Sequence, residues 1–187
     1  MSSETLRRLI ATVLTVGSLA LAGLPTVVSA KVFHARDEAL ELAFPGADRV
    51  EARDFYLKPE QRAEIEKLAK SRLDGDLVTL YVGIKGDAPM GYATFDTRTV
   101  RTQAATFLVV VSPEGTVAGA QVLAFHEPEE YVPTERWRDS MKGSKLSDEL
   151  EVGRGVAAIT GSTLSTQAIT AGVRRALALW TVLIKGK

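Results

Sequence analysis

Between Leu77 and Phe125 apolar and β-branched residues gather in four short runs, L-V-T-L-Y-V-G-I-K from 77, G-Y-A-T-F-D-T-R-T-V from 91, A-T-F-L-V-V-V-S from 105 and V-A-G-A-Q-V-L-A-F from 117. Turn-forming residues separate them, G-D-A-P within the first pair and P-E-G-T within the second. Runs of this length, rich in Val, Thr, Tyr and Phe and broken by such turns, predict strands joined as hairpins. The rhythm changes at the C-terminal end. From Gln167 to Ile184 the apolar positions Ile169, Val173, Ala176, Leu177, Trp180 and Ile184 recur at helical spacing, which predicts a helix docked by one stripe, with Arg174 and Arg175 left in water. Before the strands, Asp37 to Phe44 predicts a brief helix stopped by Pro45-Gly46, and 49–57 alternates roughly enough for a strand. Pro59 fits the first turn of a helix running to about Leu73, and a further helix is expected from about Thr134 to Met141. The fold class is α+β, a twisted, largely antiparallel sheet packed by helices.

The first thirty residues follow another logic. Arg7 and Arg8 precede a mostly apolar run from Leu9 to Leu24, Pro25 breaks it, and Val28-Ser29-Ala30 offers a small-residue cleavage site. That is the order of a signal peptide; left uncleaved, Leu9 to Val28 would be long enough to anchor in a membrane. Residues 1–30 are therefore expected to be a signal peptide or membrane anchor, 31–76 an N-terminal helical and strand extension, and 77–187 the main domain, outside the cytoplasm.

Composition narrows the chemistry. The chain has 187 residues with 23 basic and 23 acidic side chains, which suits one domain with a real core and gives no basic face for nucleic acid. There is no cysteine, so disulfides, thiolate zinc sites and iron–sulfur clusters held by this chain are excluded. With His34 and His126 as its only histidines, a histidine-based metal or haem array is not expected either. Redox chemistry, if present, must come from an organic cofactor.

One stretch stands out as candidate chemistry: Thr160-Gly161-Ser162-Thr163-Leu164-Ser165-Thr166, placed immediately before the C-terminal helix. A helix start carries backbone N–H groups without intrahelical partners and partial positive charge, and so accommodates a phosphate. Gly161 permits a close turn, and the hydroxyls add donors. The alternative is that Thr163, Ser165 or Thr166 simply caps the helix. Both readings stand on residue types alone.

The sequence A-A-I-T-G-S-T-L-S-T, followed by an apolar helix, resembles the C-terminal signature of the FMN-binding domain family, roughly D-x-x-[S/T]-G-A-[S/T]. That family includes the flavin-carrying C subunit of the sodium-pumping NADH:quinone oxidoreductase and the G subunit of the Rnf complex. The resemblance, spread over about Leu77 to Leu179, implies an FMN-binding domain at 77–187. It also implies an electron-transfer protein whose FMN phosphate is esterified to Thr163 by a flavin transferase. Thr160 and Gly161 match the pattern, Ser162 replaces its alanine, and Ala157 stands where it has aspartate. Covalent and noncovalent FMN are both open on that account. Implied partners are membrane redox subunits carrying cytochrome, iron–sulfur or quinone sites; no catalytic residue and no metal is implied.

Around the flavin, Leu164, Tyr131, Trp137 and Tyr92 are candidates for packing the ring, against the alternative that each is an ordinary core or surface side chain. His126 and Glu127, where relatives show His or Glu before Thr-Pro-Gly, are candidates for hydrogen bonds to the cofactor. The Glu127, Glu129, Glu130 run reads as a solvated acidic loop. A serine hydrolase built on Ser162 or Ser165 with His126 lacks the G-x-S-x-G elbow that would expose its nucleophile.

Overall fold

A computed structural model describes residues 31–32 and 36–186, so the expected signal segment and His34 lie outside the described residues. The element order is β1 (Lys31–Val32), α1 (Arg36–Ala43), β2 (Arg49–Tyr56), α2 (Pro59–Ala69), β3 (Leu77–Lys85), β4 (Ala88–Val100), β5 (Gln103–Val111), β6 (Val117–Phe125), α3 (Glu135–Asp139) and α4 (Thr163–Leu183), with a 3₁₀ turn at Glu129–Tyr131. The six strands form one sheet in the order β1-β6-β5-β4-β3-β2, every pairing antiparallel. The α+β class and its antiparallel sheet are as the hydrophobic runs require.

β5 lies inside this sheet and is covered on both faces, which explains its unbroken apolar run. Phe107, Val109 and Val111 pack with Ile169, Val173 and Leu177 of α4. The alternate residues Leu108 and Val110 pack on the opposite side with Ala39, Leu40 and Phe44 at α1. α2 lies beside α4, where Ile65, Ala69 and Leu73 meet Ala178, Leu179 and Leu183. The segment 31–76 is thus woven into the same body: β2 continues the sheet beyond β3 and α2 closes one flank of the long helix. Among the described residues no helix is long and apolar enough to cross a membrane.

The strands do not stay together along their whole length. β3 pairs with β4 from Tyr81↔Ala93 to Lys85↔Ala88, whereas Thr94 to Val100 pair with β5 alone and Leu77 to Leu80 with β2 alone. The sheet forks there, with Tyr81 and Phe95 in edge contact at 5.2 Å and the Arg36 guanidinium over both rings.

Two expectations need correction. The helix from Pro59 ends at Ala69, because Lys70 turns left-handed (φ 53°) and its N–H bonds back to Glu66 and Lys67 carbonyls. Arg174 and Arg175 are not in water. Arg174 is buried and donates to the carbonyls of Ser147, Leu150 and Leu68; Arg175 donates to Asp96 and to the Arg72 carbonyl. Strand, α2 and the 144–156 loop surround α4, so it has no fully wet side, and the arginines on its minor face are held by carbonyls and a carboxylate instead, the Nε of each being buried without a partner.

Candidate functional site at the start of the long helix

α4 begins four residues before its apolar stripe suggests. Ser162 N–H bonds to the Ile159 carbonyl at 3.1 Å, Gly161 takes φ +86°, and the first helical bond runs from Thr166 N–H to the Ser162 carbonyl at 3.0 Å. The N–H groups of Thr163, Leu164 and Ser165 therefore precede the intrahelical ladder. Ser162 is the N-cap residue but makes no side-chain cap bond. The expectation that Thr163, Ser165 or Thr166 caps the helix is accordingly corrected: all three lie within its first turn. Thr166 is fully buried and returns its hydroxyl to the Thr163 carbonyl at 2.8 Å; Ser165 is buried as well. Thr163 is exposed, with its hydroxyl only loosely held by the Ile159 carbonyl at 3.5 Å.

Thr163 opens onto a hollow of about 220 Å³ lined by Gly161, Ser162, Leu164, Ser165, Val100, Arg101, Glu127 and Tyr131. That is less than the roughly 300–1,000 Å³ that encloses a ligand of drug size. It suits a phosphate and part of the chain attached to it, with the remainder of a larger ligand lying outside. Leu164, half exposed, and Arg101 also line a neighbouring hollow of about 450 Å³ with Thr97, Arg98, Thr99, Gln167 and Arg175.

The wall opposite Thr163 is built by a turn. Val100 and Gln103 are cross-strand partners, so Arg101-Thr102 is a two-residue hairpin loop between β4 and β5. Glu127, reaching over from the end of β6, accepts from Thr102 N–H at 3.0 Å, Thr102 hydroxyl at 2.9 Å and Gln103 N–H at 3.2 Å. The Thr102 N–H bond foremost, with smaller help from the Thr102 hydroxyl, Gln103 and the Arg101 charge, holds this carboxyl below its ordinary range. Glu127 is therefore anionic at neutral pH, and its Oε1 is committed to the turn. Arg101 stacks on the Tyr131 ring, 5.0 Å from its centroid.

The other candidates separate. His126 Nδ1 donates to the Ala104 carbonyl at 2.8 Å and does not line the hollow, nor do Thr160 and Thr166. Trp137 is buried in the core with its indole N–H on the Ala157 carbonyl at 2.7 Å, and Tyr92 is buried against Trp180 and Ile184; both serve packing. Of the aromatic candidates Tyr131 alone reaches the hollow. The residues that sequence reasoning missed are Arg101 and the trio Arg98, Asp96 and Arg175. Asp96, almost fully buried, takes Arg98 Nε at 2.5 Å on one oxygen and Arg175 Nη1 at 2.7 Å on the other. No local motif marks them, because strand and helix come together only in the folded chain. Among the described residues no group of three His, Cys, Asp or Glu is placed to hold a metal ion.

A buried helix opening with free N–H groups, an exposed hydroxyl and a facing arginine is an arrangement for a phosphorylated ligand. Residues 102–178 match the family model of the FMN-binding domain, the family that the Thr160–Thr163 stretch resembles. That match supports FMN as the cofactor. Among solved structures the chain is similar to the crystal structure of Shewanella oneidensis NqrC, with 17% identity over 79% of this chain and 83% of that one, at a TM-score of 0.46. No curated protein sequence matches the chain.

Proposed function

We propose that this flavoprotein is an exported electron carrier whose FMN is joined through its phosphate to Thr163 and which works beside membrane redox subunits. The observation that carries the reading is the placement of Thr163. Within the segment that matches the family, it is the exposed hydroxyl at the mouth of a phosphate-sized hollow, while its neighbours Ser165 and Thr166 are buried. The Thr163 oxygen attacks the phosphorus of an activated FMN phosphate presented by a flavin transferase. A phosphoester bond forms, the bond to the leaving group breaks, and the hydroxyl proton passes to a base of that enzyme. Bound FMN supplies one- and two-electron chemistry. The chain itself anchors the phosphate and leaves the rest of the cofactor close to the surface, where a partner can approach. Export is supported by the Arg7-Arg8, apolar run and Val28-Ser29-Ala30 order, and a covalent link would prevent loss of the cofactor outside the cytoplasm.

Ala157 favours a second reading, in which the same site holds FMN without the ester. The residue is exposed and stands where the signature has an aspartate, so a transferase meets a methyl group there. Intact-mass spectrometry of protein exported from a host with a matching transferase separates the two. The expected result is a mass raised by one esterified FMN, mapped to the peptide containing Thr163 and lost in Thr163→Ala. An unmodified mass from protein that releases yellow flavin on denaturation establishes the second reading instead.

A further inference from the structure

The turn facing Thr163 carries a residue that its backbone does not ask for. A two-residue hairpin loop with positive φ at its first position is ordinarily given to glycine, because a side chain there is strained. Here Arg101 occupies it at φ +56°, and Thr102 is not in that region. Three observations hold the arginine in place. The loop cannot relax, because Glu127 binds Thr102 twice and Gln103 once. The guanidinium is stacked on Tyr131, which orients it. Both Arg101 and Tyr131 line the hollow onto which Thr163 opens. Backbone strain kept by surrounding bonds and pointed into a cavity is the pattern of a binding residue.

Resting on the reading of this hollow as the FMN phosphate site, we infer that Arg101 is the side chain that recognises the phosphate, so that the site discriminates FMN from the same flavin without phosphate. The chemistry is direct. The helix start supplies N–H donors and only fractional charge, whereas a guanidinium supplies a full positive charge and paired donors matched to phosphate oxygens. Glu127, the nearest carboxylate on the wall, would repel the phosphate if free. Its Oε1 instead accepts three hydrogen bonds from the loop, and Arg101 sets a full positive charge against it on the same wall. Arg98 and Arg175 belong to a separate arrangement, since both are bound to Asp96. The position lies one residue outside the segment that matches the family, so the signature itself does not point to it.

The test is a fluorescence titration of the full chain, made without a flavin transferase, with FMN and with riboflavin. Wild-type protein should bind FMN more tightly than riboflavin by about 10- to 100-fold, the effect of one hydrogen-bonded charge pair. In Arg101→Gln this ratio should fall by about tenfold with riboflavin affinity unchanged, the remainder coming from the helix-start N–H groups, Arg101→Lys should retain part of the difference, and added salt should shrink the ratio in wild type. Arg101→Gly supplies the control for a merely structural role, because relief of the positive φ should raise Tm while FMN affinity still falls. An FMN preference undiminished in Arg101→Gln, or wild type that binds both flavins equally, overturns the inference and leaves the FMN site standing. Loss of affinity for both flavins together with a lower Tm assigns Arg101 to structure and also overturns it. If neither flavin binds wild type, the reading of the hollow fails and the inference falls with it.

Discussion

At the scale of single residues, the least expected finding is the carboxylate of Asp96. It lies between Arg98 from its own strand and Arg175 from α4, and it also presses close to the helix: a Cβ built on Gly172 would meet its Oδ2 at 2.7 Å. The interaction thus joins strand to helix by charge and by close approach at once. Arg98 also has a buried Nη2 without a partner, so the group has no spare acceptor if Asp96 is lost. Asp96→Asn should therefore destabilise the protein by on the order of 3 kcal/mol, the cost of leaving buried charges uncompensated. Chemical denaturation followed by far-UV circular dichroism measures this directly. Adding Arg98→Met to that variant should recover part of the loss, because the second change removes one of the stranded charges. None of the three residues was legible beforehand. An aspartate in an apolar strand and an arginine beside a helical stripe each read as solvent-facing until the packing of one on the other is known.

At the scale of elements, α4 organises the chain, and its turns show which local signals were sufficient. Its apolar period identified the helix and its docked face correctly, because each stripe residue needs only some core to face. The same period places its start at Gln167, four residues after the helix begins. Hydroxyl residues suit both caps and first turns, and only the Gly161 turn, with φ +86°, decides that the helix begins at Thr163. The P-E-G-T turn between β5 and β6 was plain in the sequence, but its second task was not. Gly115, at φ +77°, lies under the Trp180 ring, and an added Cβ would come within 2.2 Å of it. Gly115→Ala should cost about 3 kcal/mol, combining the strain of a positive φ with overpacking. A shift in the denaturation midpoint with unchanged m-value, plus altered Trp180 fluorescence, is the expected result; a neutral outcome would mean the turn can move away from the helix.

For the whole molecule, charge acts through pairs rather than through its balanced total. Glu66, held foremost by the Leu73 N–H, and Asp148 and Glu151, both held foremost by Lys70, all have carboxyls below their ordinary values, as does Glu127. A carboxyl lowered in the folded state stabilises it above the unfolded value, and that contribution disappears as pH falls through the folded value. Stability should accordingly be level near neutrality and decline below about pH 4, the ordinary carboxylate range. Thermal melts across pH 2–7 at fixed ionic strength check this. Since Lys70 ties α2 to the 148–151 loop beside α4, its replacement by Met should flatten part of the acid decline without changing the fold.

The sequence by itself determined the main strands and helices, the antiparallel sheet and the hydroxyl-rich turn that resembles the FMN signature. These depend on period, turn chemistry and short motifs, all of which act within a few residues. Only the tertiary structure decided that Thr163 is open while Ser165 and Thr166 are buried, and that Arg174 and Arg175 are enclosed. It alone brought Arg101 and Glu127 to the hollow in front of Thr163. The physical reason is range. Burial and charge pairing depend on which surfaces meet after strands some sixty residues upstream have paired and the helix has docked upon them, and no local pattern encodes that meeting.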